Sequence, residues 1–201
     1  MIKIIDYKAG NAPSVLHAVK RLGFKAELAA APNDLANAAC IILPGVGSAG
    51  ATMRSLQETG LADALTGHVT NKKTPFLGVC VGMQVLFEQS EEEDAICFGW
   101  LKGRVIKYDS ALVRVPQMGW NQVRFINKTP LNDKTSNGYF YFVNSYFAIP
   151  EDPSDIWGTA QYGGDFTAAV RRGNIYGTQF HVEKSGEAGL KLLKCFLEQG
   201  F

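Results

Sequence analysis

Apolar residues recur along the chain with two different periods. Ile2-Lys3-Ile4-Ile5-Asp6, Lys25 to Leu28, Cys40 to Leu43 and Pro75-Phe76-Leu77 are short apolar runs of the kind buried strands use. Between them, Ser14 to Arg21, Ala51 to Thr59 and Leu61 to Asn71 repeat apolar positions three or four residues apart, the spacing of an amphipathic helix. The loop Tyr7-Lys8-Ala9-Gly10 leads to Asn11, placed to cap the first helix, with Pro13 in its first turn. Pro44-Gly45-Val46-Gly47 is expected to break the third strand, and Met83-Gln84-Val85-Leu86-Phe87 to begin a helix after the fourth. This alternation predicts an α/β fold, a central mostly parallel sheet flanked by helices.

From Gly103 to Val170 the pattern changes. Val105 to Tyr108, Tyr139 to Val143 and Trp157 to Ala160 are short β-type runs joined by Pro, Asn and Gly turns, which predicts an antiparallel β section added to the parallel core. Asn174 to Phe180 reads as a further buried strand ending at His181, and Glu187 to Leu197 as a closing amphipathic helix. No repeat or linker interrupts the chain, and 201 residues suit a single domain spanning 1–201.

Chemistry is expected where the parallel strands end, because open α/β sheets collect their sites at the carboxyl edge. Gly78-Val79-Cys80-Val81-Gly82 falls at such an edge. Glycines two residues either side of Cys80 suit a sharp strand-to-helix corner that exposes a nucleophile, and a following helix N-terminus favours thiolate. His181 and Glu183, two apart in an extended segment, would point to the same side, so the carboxylate can hold the imidazole. Cys80, His181 and Glu183 together make an activated thiolate. The competing reading of Cys80 is core packing, common for free cysteine, but packing does not call for flanking glycines. His17 and His68, the other two of three histidines, sit in helical patterns.

An acyl carbon attacked by Cys80 becomes an oxyanion and needs backbone N–H donors. Val81 and the Val46-Gly47 turn are placed to supply them. The same glycine-rich stretch lacks the Lys-Ser/Thr of a nucleotide P-loop. Cys40, Cys80, Cys97 and Cys195 are too widely spaced for a metal site, so no metal and no cofactor is expected. Lysine plus arginine exceed aspartate plus glutamate by one, 20 against 19, with the signs interspersed, which argues against nucleic acid or an anionic membrane surface as partner. No apolar stretch reaches the ~18 residues a membrane span needs. The opening segment reads as a strand rather than an export signal, and four cysteines in a chain of this length are no disulfide framework. A soluble, cytoplasmic protein is expected.

Three stretches carry a resemblance. Gly78-Val79-Cys80-Val81-Gly82-Met83-Gln84, Pro44-Gly45-Val46-Gly47 and Gln179-Phe180-His181-Val182-Glu183-Lys184-Ser185 resemble the class I, triad-type glutamine amidotransferases. Met118-Gly119-Trp120-Asn121, Tyr141-Phe142-Val143 and Ile5-Asp6-Tyr7 narrow this to the glutaminase subunits of imidazole glycerol phosphate synthase. The resemblance implies that Cys80 attacks the side-chain amide of L-glutamine, His181 protonates departing ammonia, and a glutamyl thioester is hydrolysed to glutamate. It implies a heterodimer with a (β/α)₈-barrel synthase subunit, which uses the ammonia to make imidazole glycerol phosphate and an aminoimidazole carboxamide ribotide. By the same carry-over Gln84 and Glu92 read the amino-acid end of glutamine, Gly47, Ser145 and Tyr146 hold its carboxylate, and Trp120, Asn121, Tyr141 and Lys184 face the partner.

The chain departs from the commonest family pattern at Gln117 and Asn144, where histidine is usual, and at Val182, where proline is usual. These departures leave open a paralogue feeding another ammonia-using synthase, such as one amidinating a surface sugar. The same residues also admit a stand-alone cysteine amide hydrolase or a non-catalytic interaction subunit.

Overall fold

The computed structural model describes residues 1–8, 11–126, 131 and 137–198; Ala9 and Gly10 of the opening loop lie outside them. The first half alternates as expected. It runs β1 (Ile2–Ile5), α1 (Ala12–Arg21), β2 (Ala26–Ala29), β3 (Cys40–Gly45), α2 (Ala49–Glu58), α3 (Leu61–Thr66), β4 (Phe76–Cys80) and the single turn α4 (Val81–Gln84). The remainder is β5 (Gln89–Ser90), β6 (Ala95–Ile96), β7 (Gly103–Lys107), β8 (Gln117–Phe125), β9 (Gly138–Asn144), β10 (Tyr146–Pro150), β11 (Ile156–Gln161), β12 (Asp165–Arg172), β13 (Ile175–Thr178) and α5 (Gly186–Glu198).

Strands β2, β1, β3, β4 and β13 lie side by side and parallel. Their apolar runs are buried on both faces, as a parallel sheet covered by helices requires. Helix α1 shows the matching amphipathic logic: Ala12, Val15, Ala18 and Val19 are buried, Leu16 packs at the edge of the core, and Pro13, Ser14 and His17 face outward. Beyond β13 the sheet turns antiparallel through β12, β10 and β7, and β11 links it to the β8–β9 hairpin. The α/β core with an antiparallel addition is therefore the observed architecture. No described helix is long and apolar enough to cross a membrane.

Several local expectations are corrected. Pro44 and Gly45 do not break β3; the strand runs through Gly45, which pairs with Cys80. Helix α2 begins at Ala49, two residues earlier than its periodicity suggests, because the Ser48 hydroxyl accepts from the Ala51 N–H at 3.1 Å. The helix expected over Met83 to Phe87 is only Val81–Gln84. Past Val85 the amides of Leu86 and Phe87 donate three residues back, to the carbonyls of Met83 and Gln84, so the α-helical ladder lapses. The carbonyls of Val85, Leu86 and Phe87 accept from the amides of Phe98, Leu101 and Gly99 in a returning segment. Asn11 stands at the N-cap of α1, but its side chain makes no cap hydrogen bond. It is drawn instead to Glu183. Finally, β13 stops at Thr178, short of the expected Phe180.

Close approach, rather than turning freedom, explains the glycines around Cys80. Neither Gly78 nor Gly82 has a positive φ. A Cβ on Gly78 would lie 2.2 Å from the Gly82 carbonyl oxygen, and one on Gly82 would lie 1.9 Å from the Leu43 carbonyl oxygen. These glycines let β3, β4 and α4 interlock. Gly82→Ala is expected to cost about 1–3 kcal/mol through forced displacement of packed backbone, read as a lower midpoint in thermal denaturation. A midpoint equal to that of the parent chain would show that the α4 corner yields freely.

Candidate active site

The corner between β4 and α4 places Cys80, the candidate nucleophile. Cys80 takes up the unfavourable backbone conformation itself, with φ 57° and ψ −112°, in a region L side chains rarely enter. Such strain persists only where surrounding structure fixes it, here the parallel strands β3 and β13 on either side of β4. The side chain is 4% exposed and borders a cleft of about 250 Å³. Drug-sized ligands fill roughly 300–1,000 Å³, so this space suits a single amino acid.

His181 reaches the cleft from the end of β13. Its Nδ1 lies 2.9 Å from Glu183 Oε1, and both side chains are almost wholly buried. The expected pair is thus made, though not by strand alternation. His181 leads into a one-turn helix, Val182–Lys184, and that turn carries Glu183 beside the imidazole. Asn11 Nδ2 donates to the same Glu183 oxygen at 2.5 Å, which fixes the carboxylate from the far side. The backbone is held as well: His181 N–H donates to the Tyr141 carbonyl at 3.0 Å, and the Ser185 hydroxyl donates to the His181 carbonyl at 2.6 Å.

Nε2 of His181 has no hydrogen-bond partner among the described residues and shares the cleft with Cys80. Burial alone pulls the imidazole toward its neutral form. The Cys80 sulfur and the Glu183 carboxylate outweigh that and raise His181 to about 10. The ring is therefore charged at neutral pH, which suits a group that must hand a proton to a leaving amine.

The sulfur has a further neighbour. Gln179 Nε2 donates to Cys80 Sγ at 3.7 Å, and Gln179 Oε1 accepts from Gln84 Nε2 at 3.0 Å. Gln84 Nε2 also donates to the Tyr146 carbonyl at 3.0 Å. With its amide hydrogens committed, Gln84 presents an oxygen to the cleft. Sequence reasoning passed over Gln179, although it stands two residues before His181 and the same-side rule for extended chain could have found it.

The cleft brings together all five residues expected to bind substrate. Gly47, Gln84, Glu92, Ser145 and Tyr146 line it along with Val46, Val81, Cys80 and His181, and Pro116, Val143 and Asn144 complete the wall. Glu92 is not part of a solvated acidic run. Its Oε2 accepts from the Ala49 N–H at 2.9 Å, and burial raises its carboxyl above the usual carboxylate range. Glu93 next to it turns outward to Arg54 at 2.9 Å. Among the amides expected to meet an oxyanion, Val81 N–H opens α4 and so has no partner within the helix. Val46 differs, since its amide is engaged by the buried Tyr7 hydroxyl.

The residues expected at a partner surface divide. Trp120 and Tyr141 pair across β8 and β9 with ring centroids 6.1 Å apart, and Trp120 is 56% exposed. Met118 and Tyr139 extend the same face, and exposed Lys184 lies close by, since the Trp120 ring sits over Gly186. Asn121, one residue on in β8, points the other way and donates to the Gln161 carbonyl at 2.8 Å.

Known proteins share this architecture and more. A solved structure described as a glutamine amidotransferase superposes with a TM-score of 0.78, covering 98% of this chain and 97% of its own at 19% identity, a likeness of fold. A relative from Methanococcus maripaludis, named imidazole glycerol phosphate synthase subunit HisH 2, is 43% identical over 201 residues, covering 99% of this chain and 100% of its own. An Arabidopsis thaliana protein, named imidazole glycerol phosphate synthase hisHF, chloroplastic, is 42% identical over 201 residues, which are 98% of this chain and 34% of its own. The family model for glutamine amidotransferase class-I matches residues 3–199. On a match that runs nearly end to end, the chain belongs to the class-I glutamine amidotransferase family.

Proposed function

We propose that the chain, acting as one unit, is the glutaminase subunit of an imidazole glycerol phosphate synthase. The observation that carries this reading is the relay Cys80, His181 and Glu183 at the wall of an amino-acid-sized cleft. Glutamine would lie with its ammonium toward Gln84 and Glu92, which offer oxygens, and its carboxylate toward Gly47 and the Ser145–Tyr146 backbone. The Cys80 sulfur attacks the side-chain carbonyl carbon, and the amides of Val81 and Gly47 receive the oxyanion, the Val46 amide being held by Tyr7. Collapse of that intermediate breaks the C–N bond, with the His181 proton going to the departing ammonia. Water then attacks the thioester, His181 takes its proton, and the C–S bond breaks to release glutamate with the thiolate and the charged imidazole restored.

The chemistry of this chain is hydrolysis; ring formation belongs to the partner. The Arabidopsis relative is about three times the length matched here, consistent with a synthase portion on the same polypeptide. In this chain the partner would be a separate (β/α)₈-barrel subunit docking on the face that carries Trp120, Tyr141 and Lys184. Tyr141 ties that face to the site, because its carbonyl holds the His181 N–H and its own N–H donates to Ser185 Oγ at 2.9 Å. Docking can therefore bias the position of the catalytic imidazole, a coupling between sites of the kind worth 1–3 kcal/mol.

Steady-state glutamine hydrolysis, with and without purified barrel subunit and its substrate analogue, tests this. A rise of roughly 5- to 150-fold on adding the liganded partner is expected. Full activity in the isolated chain, unchanged by any partner, would instead favour a stand-alone amide hydrolase.

A further inference from the structure

Asn144 ends β9 where that strand enters the cleft, and it is 6% exposed. Its Nδ2 donates to the Tyr108 hydroxyl at 3.3 Å and to the Tyr146 carbonyl at 3.0 Å. The Tyr108 hydroxyl in turn donates to Gln117 Oε1 at 3.2 Å, and Gln117 is the residue opposite Asn144 in the β8–β9 register. Both amide hydrogens are thus committed, and the orientation of the amide is set from two sides. What remains is Oδ1, a buried acceptor to which no described residue donates. Buried polar atoms in native proteins are almost always satisfied, so one left over in a ligand cleft points to the ligand.

The position of Asn144 indicates which part of a ligand it meets. Gln84 Nε2 and Asn144 Nδ2 donate to the same Tyr146 carbonyl. The preceding residue, Val143, has its carbonyl 3.9 Å from Cys80 Sγ. Asn144 therefore lies between the nucleophile and the end of the cleft lined by Gln84 and Glu92. A glutamine side chain spanning that interval brings one group with N–H donors near the sulfur, its carboxamide.

We propose that Asn144 Oδ1 accepts an N–H from the carboxamide of bound glutamine and so selects amide over carboxylate. This rests on the glutaminase reading above. Glutamate, once formed, would set a carboxylate oxygen against Oδ1, two acceptors with no hydrogen between them, and the mismatch favours product release.

The test compares two reagents that differ at this group alone. Glutamine carries an amide NH₂; the diazoketone 6-diazo-5-oxo-norleucine has a diazomethyl group there and no N–H. In the full chain with its synthase partner, Asn144→Leu is expected to lower kcat/KM for glutamine roughly tenfold to a hundredfold. Inactivation by the diazoketone should stay within about twofold, and glutamate should inhibit no more weakly than before. Tyr108→Phe, which frees the amide without altering the cleft wall, should give the same selective loss in smaller measure, and it serves if Asn144→Leu does not fold. Equal losses toward both reagents, or none toward glutamine, overturn this inference alone. A parent chain that neither hydrolyses glutamine nor takes the label overturns the glutaminase reading and this inference with it.

Discussion

Cys80→Ala is expected to abolish glutamine-dependent synthesis by the complex while ammonia-dependent synthesis survives. The substitution removes the atom that forms the thioester, and losing the nucleophile of a triad costs on the order of 10⁴-fold or more. Free ammonia needs no thioester and reaches the partner from solution. The packing consequences are small, since Cys80 is bordered by open cleft and Ala has the Cβ that the corner already accommodates. Parallel assays with glutamine and with ammonium chloride read both activities from one preparation. Loss of both would mean that the substitution damages the complex rather than the chemistry.

The second large effect concerns His181. His181→Ala removes the group that protonates ammonia, and a loss of roughly 10⁴-fold or more in kcat is expected. Glu183→Ala should cost one to two orders of magnitude less, because the imidazole remains and its backbone is still held by Tyr141 and Ser185. Equal losses for the two would argue against an orienting role for the carboxylate. The same histidine gives a pH signature. Its folded value of about 10 lies above the ordinary 6.5, so its charged form stabilises the folded chain. That contribution is complete below about pH 6.5 and is lost as pH rises through about 10. Thermal denaturation across this window should therefore show the parent losing its advantage over His181→Gln as pH increases.

Much of this site was legible in the sequence because its parts are local. The strand that ends in Gly-Val-Cys-Val-Gly, the His-Val-Glu spacing and the glycine-rich segment Pro44 to Gly47, in which β3 ends, each occupy a few consecutive residues, and each sits where the sheet ends. The rest depends on contacts between distant segments. Asn11 looked like a helix cap by its position before Pro13, but its amide is claimed by a carboxylate 172 residues away. The apolar run that suggested a helix to Phe87 leaves the α-helical ladder at Leu86 and instead packs its carbonyls against the returning segment 98–101. His181 and Glu183 meet through a tight turn, where strand alternation gave the right pairing for another reason. Gln117 and Asn144 stood out singly as departures from a family pattern. Only the β8–β9 register and the shared Tyr108 hydroxyl reveal them as a pair.

The charges behaved similarly. In the run Glu91-Glu92-Glu93-Asp94, only the one-turn helix at Glu92–Asp94 separates a half-buried carboxylate bonded to Ala49 from an outward one paired with Arg54. Composition carries no trace of that difference. For Trp120 and Asn121 the alternation of a strand was enough to divide them, once the strand was placed.

The most direct measurement is to treat the chain with 6-diazo-5-oxo-norleucine and map the adduct by peptide mass spectrometry. The diazoketone is read as glutamine and traps whichever thiol attacks at the amide position. Burial raises Cys40 to about 12 and Cys97 to about 11, which leaves both as poor nucleophiles, and Cys195 is buried in α5. A single adduct on the peptide containing Cys80, prevented by glutamine, is the predicted result. Labelling at Cys40, Cys97 or Cys195 in its place, or no labelling with glutamine hydrolysis intact, would contradict a Cys80 thioester.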